Sequence, residues 1–234
     1  MIDWKQKCVL VIPCRNEAEH IRAVVNGARV HLPNAIVVDD GSSDGTSAAA
    51  KSCGAEIIRN PVGTGKGAAL VEGIRRARHL GFEWFFTMDG DGQHASGDIP
   101  TFLAAAENTG ASLVIGNRMH GAMGMPAVRR ATNRIMSGLL STLTRHRLPD
   151  TQCGMRLIQW KDWFWSDLHC RHFEFESELL VSFLARQLVV EFVPIEVIYT
   201  HSHSKIRPGV DTLRWLRWLW GARRKFADAR HGSR

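Results

Sequence analysis

Short apolar runs that end directly in polar turns constrain the fold of this chain most. The runs Cys8–Ile12, Ala35–Val38 and Trp84–Met88 are continuous and hydrophobic, and each is followed at once by proline or aspartate. Continuous apolar runs of this length are typical of parallel strands that helices cover on both faces. Helical patterns separate the runs, and strands that alternate with helices predict an open, mostly parallel, twisted α/β sheet flanked by helices.

The alternation continues through the first half of the chain and becomes less regular after residue 118. Apolar periodicity predicts helices over 46–53, to about His79 and over 103–108, and strands over 56–59 and 112–115. In the second half it predicts helices over 129–148 and 176–187, and a strand over 188–199 that Pro194 interrupts. No internal repeat, low-complexity tract or linker divides the chain, so we expect one main domain.

Carboxylate side chains follow three of the predicted strands. Glu17 comes shortly after the first apolar run, Asp39 and Asp40 follow the second, and Asp89 and Asp91 follow the third. In open α/β sheets, ligands bind at the carboxyl ends of the strands. Carboxylates repel a phosphate group directly, but they bind ribose hydroxyls, base N–H groups, or a divalent cation that neutralises a diphosphate.

The turn Asp89-Gly-Asp-Gly-Gln93 predicts a metal site. Two aspartates separated by one residue at a strand end place two hard oxygen ligands within reach of one Mg²⁺ or Mn²⁺ ion. For this pentapeptide alone, an exposed turn is the alternative interpretation. A calcium loop is excluded, because the glycine and the distal glutamate of an EF-hand are absent.

The glycine-rich loop Gly63–Gly67 lies between a predicted strand and a predicted helix. It does not match the phosphate-binding loop of ATPases, because no serine or threonine follows Lys66. We expect Lys66 to lie near a phosphate group of the ligand, and a solvated turn is the alternative.

Two further site classes are not expected. The five cysteines form no CxxC pair, which favours reduced thiols over a disulfide framework. The histidine pairs at 169 and 172 and at 201 and 203 lack the remaining ligands of a closed zinc site.

The positive charge lies at the C-terminal end. Residues 1–200 carry 21 Lys/Arg and 21 Asp/Glu, whereas residues 201–234 carry 9 Lys/Arg against 2 Asp. Helical spacing over 211–226 predicts one side with Arg214, Arg217 and Arg224, and an opposite side with Trp215, Trp218, Leu219, Ala222 and Phe226. Tryptophan beside arginine is typical of a membrane interface, so we expect the tail to contact an anionic membrane surface. Burial of the apolar side against the protein's own core is the alternative.

The same observations define where the protein is expected to work. No apolar run is long enough to span a bilayer, and residues 1–12 lack the pattern of a signal peptide. We therefore expect a cytoplasmic protein that is peripheral on the inner face of the membrane. Nucleic acid is not expected as a partner, because no nucleic-acid-binding module accompanies the basic tail. A membrane-protein partner or a homodimer stays open.

Four motifs occur in a fixed order: Pro13–Glu17, Val38–Thr46, Gly63–Gly67 and Met88–His94. Together they resemble family 2 glycosyltransferases of the GT-A fold, particularly the dolichyl- or polyprenyl-phosphate sugar synthases. The resemblance extends over about residues 7–210 and includes, in the second half, motifs at 116–118, 150–156, 173–178 and 204–207. The chain departs from the family pattern at Cys14-Arg15 and at Met155, and the first departure leaves the nucleotide base open.

The resemblance implies roles for particular residues. Those implied to bind the nucleotide sugar are Pro13, Asn16, Glu17, Asp39, Asp40, Lys66, Asp89 and Gln93. Those implied to hold the metal are Asp89, Asp91 and Gln93. Those implied to act in catalysis are Asp91 and the phosphate-gripping cations Arg118, Arg134 and Lys205. We accordingly expect a domain over 1–210, with a Rossmann-like nucleotide-sugar half at 1–118 and an acceptor half at 119–210, and a tail over 211–234.

The implied reaction is a metal-dependent, inverting transfer of a hexose from GDP-mannose or a UDP-hexose to a lipid acceptor, in particular polyprenyl phosphate. A hydroxyl acceptor is one alternative; it would need a carboxylate base, for which Asp150 and Glu176 are the candidates. A sugar nucleotidyltransferase is another, although the glycine-rich loop such enzymes carry after the first strand is absent from Pro13–Glu17. A non-catalytic adaptor that keeps the fold and docks to membranes is the third.

Overall fold

The protein is described by a computed structural model that covers residues 2–161, 168–169, 172–198 and 208–231. In these ranges one sheet contains seven strands in the order β3-β2-β1-β4-β6-β5-β7. The strands are β1 (Cys8–Cys14), β2 (Ala35–Asp40), β3 (Glu56–Asn60), β4 (Trp84–Thr87), β5 (Leu113–Asn117), β6 (Arg156–Gln159) and β7 (Val190–Pro194). The helices are α1 (Trp4–Lys7), α2 (Ile21–Arg29), α3 (Thr46–Ser52), α4 (Lys66–His79), α5 (Ile99–Thr109), α6 (Ala127–Thr144), α7 (Phe175–Ala185) and α8 (Pro208–His231).

The sheet is mostly parallel, as predicted. Strands β3, β2, β1 and β4 run parallel to one another, and β7 runs parallel to β5. The exception is β6, which is antiparallel to both β4 and β5 and lies between them. Strand β6 was not predicted from the sequence, because its only apolar residues, Leu157 and Ile158, form neither a longer apolar run nor an alternation. Strand β6 places part of the second half in the same sheet as the first half. The sheet therefore does not mark a boundary at residue 118, and the functional division there stays a prediction.

Close packing of α4 on the sheet depends on a glycine. A Cβ atom on Gly73 would lie 2.5 Å from Cγ1 of Val11 in β1 and 3.0 Å from Cγ2 of Val38 in β2. Both valines are fully buried, and branched side chains have few alternative rotamers. The helix therefore lies directly on the two strands that carry the predicted ligand-binding residues.

The C-terminal helix α8 contacts the protein's own core through the side that we expected at the membrane. Trp215 is only 2% exposed, and its indole N–H donates to Oγ of Ser177 in α7 at 2.9 Å. Trp218 and Leu219 pack against the same core, and Ala222 is also buried. The membrane interpretation of this side is therefore wrong for these residues, because tertiary packing offers the indole both apolar neighbours and a hydrogen-bond partner. The side chains of Arg224 and Phe226 lie outside the described part.

No helix within the described ranges is long and apolar enough to span a membrane. The four cysteines whose side chains are described, Cys8, Cys14, Cys53 and Cys153, are buried free thiols. Cys170 lies outside the described residues.

The packing at Gly73 predicts opposite effects for the same substitution in two helices. Gly73→Ala should lower the free energy of unfolding by about 1–3 kcal/mol, because the added methyl group overpacks the contact with Val11. Gly138→Ala in α6 is the matched control, since nothing lies within 4 Å of its Cβ position. It should raise the free energy of unfolding by about 0.8 kcal/mol through helix propensity. Urea unfolding followed by circular dichroism measures both, and a stabilised Gly73→Ala protein would contradict the packing argument.

Candidate active site

The carboxyl ends of β1, β2 and β4 form one edge of the sheet, because the three strands are adjacent and parallel. The turn after β4 presses against the end of β1: a Cβ atom on Gly90 would lie 2.9 Å from Cβ of Cys14 and 3.6 Å from Cγ of Glu17. Only glycine permits so close an approach without displacing its neighbours. The acidic turn therefore meets the segment after β1 at the edge where open α/β sheets bind ligands.

Hydrogen bonds join the segment after β1 to the loop after β2. The backbone N–H of Asn16 donates to Oγ of Ser42 at 2.9 Å, and Asn16 Oδ1 accepts from the backbone N–H of Ser43 at 2.9 Å. The backbone N–H of Glu17 donates to Oγ1 of Thr46 at 2.8 Å. Asn16 has a φ of 52°, a left-handed conformation that asparagine adopts more readily than most residues. The edge is thus fixed by polar contacts rather than by apolar packing.

Pro13 and Asp39 lie within the ends of their strands and are buried. The Asp39 carboxylate accepts hydrogen bonds from the backbone N–H of Ser42 at 2.8 Å and from the hydroxyl of Ser47. These contacts hold the loop after β2 against the strand end. A contact of Asp39 with a nucleoside stays a prediction, because both of its oxygens already accept hydrogen bonds.

Asp40 fixes the glycine-rich loop. Its Oδ1 accepts from the backbone N–H of Thr64 at 2.7 Å and from the Thr64 hydroxyl at 2.8 Å, and its Oδ2 accepts from the backbone N–H of Gly65 at 2.8 Å. Burial alone would raise the pKa of this carboxyl, but these hydrogen bonds outweigh burial and lower it. Asp40, predicted to line the nucleoside, therefore stabilises the loop that begins α4.

Lys66, the first residue of α4, bridges two carboxylates at the site. Its ammonium lies 2.6 Å from Oδ1 of Asp89 and 2.8 Å from Oε1 of Glu176, and it lies over the ring of Phe173 at 5.8 Å. A Cβ atom on Gly154 would lie 2.7 Å from Oδ2 of Asp89 and 2.9 Å from the Lys66 ammonium, so a side chain at this position would displace the ion pair. Three segments distant in the sequence are thus held together by one positive charge.

The electrostatics of the acidic turn favour a bound cation. Burial raises the pKa of Asp89, but the positive charges of Lys66, His94 and Arg118 outweigh it and lower the pKa to about 2. Burial and the negative charge of Asp89 together raise the pKa of Asp91. The two carboxylates of the turn therefore repel each other. Lys66 neutralises Asp89, and a further cation would neutralise Asp91.

The donor set fits a hard divalent ion that completes its shell with other ligands. Asp89 and Asp91 supply carboxylate oxygens, and Gln93 supplies an amide oxygen. Mg²⁺ characteristically binds through one or two carboxylates together with substrate phosphates and water. Within the described ranges, no group of three or more His, Cys, Asp or Glu side chains forms a closed metal site. The residues fit Mg²⁺ or Mn²⁺ shared with a diphosphate.

Asp150 is committed to a buried ion pair. It accepts from Nε and Nη2 of Arg118 at 2.8 and 2.9 Å and from Nδ2 of Asn133 in α6 at 2.9 Å. Burial raises its pKa, but the charge and hydrogen bonds of Arg118 outweigh burial and lower the pKa overall. A fully buried carboxylate paired in this way is a poor general base, so of the two base candidates only Glu176 retains an available oxygen. That oxygen, Oε2, is buried and has no hydrogen-bond partner.

The predicted cations fall into three groups. Arg118 lies beside the site and lowers the pKa of Asp89, although its guanidinium is paired with Asp150. Arg134 is exposed on α6, and its contact with a phosphate stays a prediction. Lys205 lies outside the described residues, as do His201 and His203.

Sequence analysis missed one cation that the fold brings to the acidic turn. Nη1 of Arg129, in the first turn of α6, donates to Oε1 of Gln93 at 3.3 Å. No local motif marks Arg129, because its contact spans 36 residues of sequence. Arg129 and Glu176 are therefore added to the candidate site.

Comparisons with known proteins agree with this architecture. The sequence profile of glycosyl transferase family 2 matches residues 9–164. The chain is 29% identical over 214 residues to the UDP-N-acetylglucosamine–dolichyl-phosphate N-acetylglucosaminyltransferase of Methanococcus voltae, covering 82% of this chain and 85% of that protein. It is 32% identical over 121 residues to the polyprenol monophosphomannose synthase of Mycolicibacterium smegmatis, covering 48% of this chain and 45% of that one.

A solved structure shows the same fold. Glucosyl-3-phosphoglycerate synthase from Mycobacterium tuberculosis, in complex with Mn²⁺, UDP-glucose and phosphoglyceric acid, superposes with a TM-score of 0.72 at 20% identity. The match covers 93% of this chain and 80% of that one. The chain therefore belongs to glycosyl transferase family 2 and is an enzyme with the GT-A fold.

Proposed function

We propose that this enzyme transfers a hexosyl group from a nucleotide-diphosphate sugar to a lipid phosphate, with inversion at the anomeric carbon. The observation that carries the proposal is the acidic turn Asp89–Gln93 at the end of β4, with Lys66 paired to Asp89 and Arg129 to Gln93. Carboxylates with cations beside them suit a diphosphate leaving group that is neutralised from more than one side. The relatives named for lipid-phosphate acceptors support this acceptor class.

The donor would lie along the edge formed by β1, β2 and β4. Pro13, Asn16, Glu17 and Asp39 would contact the nucleoside, and Lys66 would approach the diphosphate. A divalent cation, Mg²⁺ or Mn²⁺, held by Asp89, Asp91 and Gln93 would supply Lewis-acid stabilisation of the departing diphosphate. GDP-mannose and UDP-hexoses both fit this description, because no described contact selects one base.

The acceptor chemistry requires no base. An oxygen of the acceptor phosphate attacks the anomeric carbon and forms a new C–O bond while the bond to the nucleoside diphosphate breaks. The acceptor oxygen is already anionic, so the work of the protein is to position it and to balance charge. Arg118, Arg134 and Lys205 are the proposed cations for the acceptor phosphate, and Arg129 is a fourth.

A hydroxyl acceptor is the second candidate function, and the unpartnered Oε2 of Glu176 favours it. An alcohol must lose its proton as it attacks, and a carboxylate within the site is the usual base. Glu176 is however paired with Lys66 at 2.8 Å through its other oxygen.

We further propose that the enzyme works on the cytoplasmic face of an anionic membrane, where a lipid phosphate is accessible. The part of α8 that remains exposed supports this location. Leu213, Leu216 and Trp220 are 59, 46 and 67% exposed, and the exposed Arg217 lies among them. The contact of 211–226 with the membrane would therefore involve the side opposite to the one predicted from the sequence.

Replacing one acidic residue tests the proposed site. Asp91→Asn should reduce transfer from the nucleotide sugar with Mg²⁺ or Mn²⁺ by at least about a hundredfold, since charge stabilisation of the leaving group is lost. Asp3→Asn is the matched control, because asparagine caps a helix as well as aspartate does. Transfer is measured by nucleoside diphosphate release, and binding of the donor by calorimetry. Parent-like activity of Asp91→Asn would exclude the proposed metal and diphosphate site.

Replacing Glu176 distinguishes the two acceptor classes. With a phosphate acceptor, Glu176→Gln should retain activity to within about tenfold, because Lys66 keeps its ion pair with Asp89 and general-base catalysis, typically about 10²–10⁴-fold, is not being used. With a hydroxyl acceptor, the loss should reach that range and the ascending limb of the pH–rate profile should disappear. Asp150→Asn cannot replace this test, because it leaves the buried Arg118 guanidinium unpaired.

A thermal-shift panel identifies the donor. Ligands that bind only the folded state raise the midpoint of unfolding, so the true donor should give the largest shift among GDP- and UDP-sugars in the presence of Mn²⁺. The Asp91→Asn protein should lose most of the shift. An equal shift in the parent and the variant would mean that the nucleotide binds without the acidic turn.

A further inference from the structure

Helix α6 has an exposed apolar side that its role in the site does not explain. Val128, Ile135 and Leu139 are 74, 64 and 42% exposed, and Ala131 is exposed between them. Their spacing of three, four and four residues places all four on one side of the helix, and we call this the outer stripe of α6. Exposed apolar stripes of this kind mark interaction surfaces more often than ordinary solvent-facing helix.

The opposite side of α6 forms part of the candidate active site. Asn133 donates to the Asp150 carboxylate at 2.9 Å, and Ser137 Oγ lies 3.1 Å from Oγ1 of Thr151. Arg129, at the start of the helix, reaches Gln93 at the acidic turn. Because one helix carries both sides, whatever covers the outer stripe also fixes the position of the active site relative to that partner.

The chain segment that carries the outer stripe has only positive charges. The chain contains no aspartate or glutamate between Glu107 and Asp150, although the whole of residues 1–200 is balanced. Arg134, Arg145 and Arg147 are exposed beside the stripe or just beyond the end of the helix. Overall charge balance therefore concealed a second basic region, separate from the C-terminal tail.

We propose that the outer stripe of α6 docks the enzyme onto an anionic lipid bilayer. Apolar side chains flanked by arginine suit the boundary between acyl chains and lipid phosphates. The inference deepens the proposed function, because the same helix would hold the active site at the surface where a lipid phosphate resides. Only this link to the lipid phosphate rests on the proposed function, because binding to a bilayer needs neither donor nor acceptor.

Other occupants explain these observations less well. In a two-fold dimer the same patch faces itself, so Arg134 of each copy would be brought towards like charge without a carboxylate nearby on α6. Single-stranded nucleic acid is bound by aromatic side chains beside basic ones, and residues 127–144 contain no aromatic residue. An anionic bilayer meets both the apolar and the basic requirement.

Vesicle flotation with the full chain tests the proposal. The parent should float with phosphatidylcholine vesicles that contain phosphatidylglycerol, and the Ile135→Glu/Leu139→Glu protein should bind at least about tenfold more weakly, because two apolar contacts are replaced by charges that the lipid repels. Both positions are exposed, so the variant should fold like the parent. Its circular dichroism spectrum and its thermal midpoint test this.

The matched control makes the same change elsewhere on the surface. Val30 and Leu80 are 77 and 44% exposed and lie at the C-terminal ends of α2 and α4, away from the carboxyl edge of the sheet. Val30→Glu/Leu80→Glu should bind vesicles as the parent does. Equal loss in both double variants would show that added negative charge alone weakens binding and would overturn the proposal, as would parent-like binding of Ile135→Glu/Leu139→Glu.

Two further measurements separate this proposal from the others. Transfer to an acceptor dispersed in detergent should be unchanged in Ile135→Glu/Leu139→Glu, because neither residue contacts the site; loss of vesicle binding with intact transfer supports the docking surface alone. Light scattering reports the oligomeric state. A parent dimer that the same variant converts to a monomer would assign the stripe to a second copy of the chain and overturn the bilayer proposal.

Discussion

The candidate active site depends most on the ion pairs of the Lys66 ammonium. The ammonium joins the start of α4, the turn after β4 and the first turn of α7 through its contacts with Asp89 and Glu176. A buried charge is costly unless it is paired. Removal of Lys66 would leave Asp89 and Glu176 without this cation, and removal of either carboxylate would leave Lys66 with one partner fewer. The bridge therefore positions the acidic turn and also keeps one of its carboxylates ionised. A ligand that carries its own phosphates would redistribute these contacts, since it offers Lys66 a new anionic partner.

Acidic residues at the edge differ in how far the protein's own hydrogen bonds already satisfy them. The oxygens of Asp40 accept hydrogen bonds from the backbone of Thr64 and Gly65, and those of Asp39 accept hydrogen bonds from Ser42 and Ser47. By contrast, Asp91 has a pKa raised by burial and by the charge of Asp89, which is the signature of a group that lacks a compensating cation. Asp39 and Asp40 thus hold the loops in place, whereas Asp91 lies where the proposed metal ion would neutralise its charge.

Buried polar contacts organise the second half of the chain, which is the proposed acceptor half. Asp150 holds Arg118 and Asn133, and the buried Arg156 donates to the carbonyls of Thr151 and Glu176, which ties the loop before β6 to α7. Helices α6 and α8 both pack on α7 and both keep apolar residues exposed on their outer sides. Under the proposed function, these helices would hold the acceptor region with their polar or packed inner faces and would turn their outer faces to the lipid surface.

The sequence by itself determined the parallel sheet, the strand ends that carry Asp39, Asp40 and Asp89, and the family. These depend on local patterns, because continuous apolar runs and the residues directly after them lie close together in the chain. The tertiary structure decided what periodicity cannot reveal. It inserted the four-residue strand β6 between β4 and β5, brought Arg129 to Gln93, paired Asp150 with Arg118, and turned Trp215 inward. A helical pattern shows that a helix has an apolar side, but only long-range packing decides whether that side meets the core or a membrane.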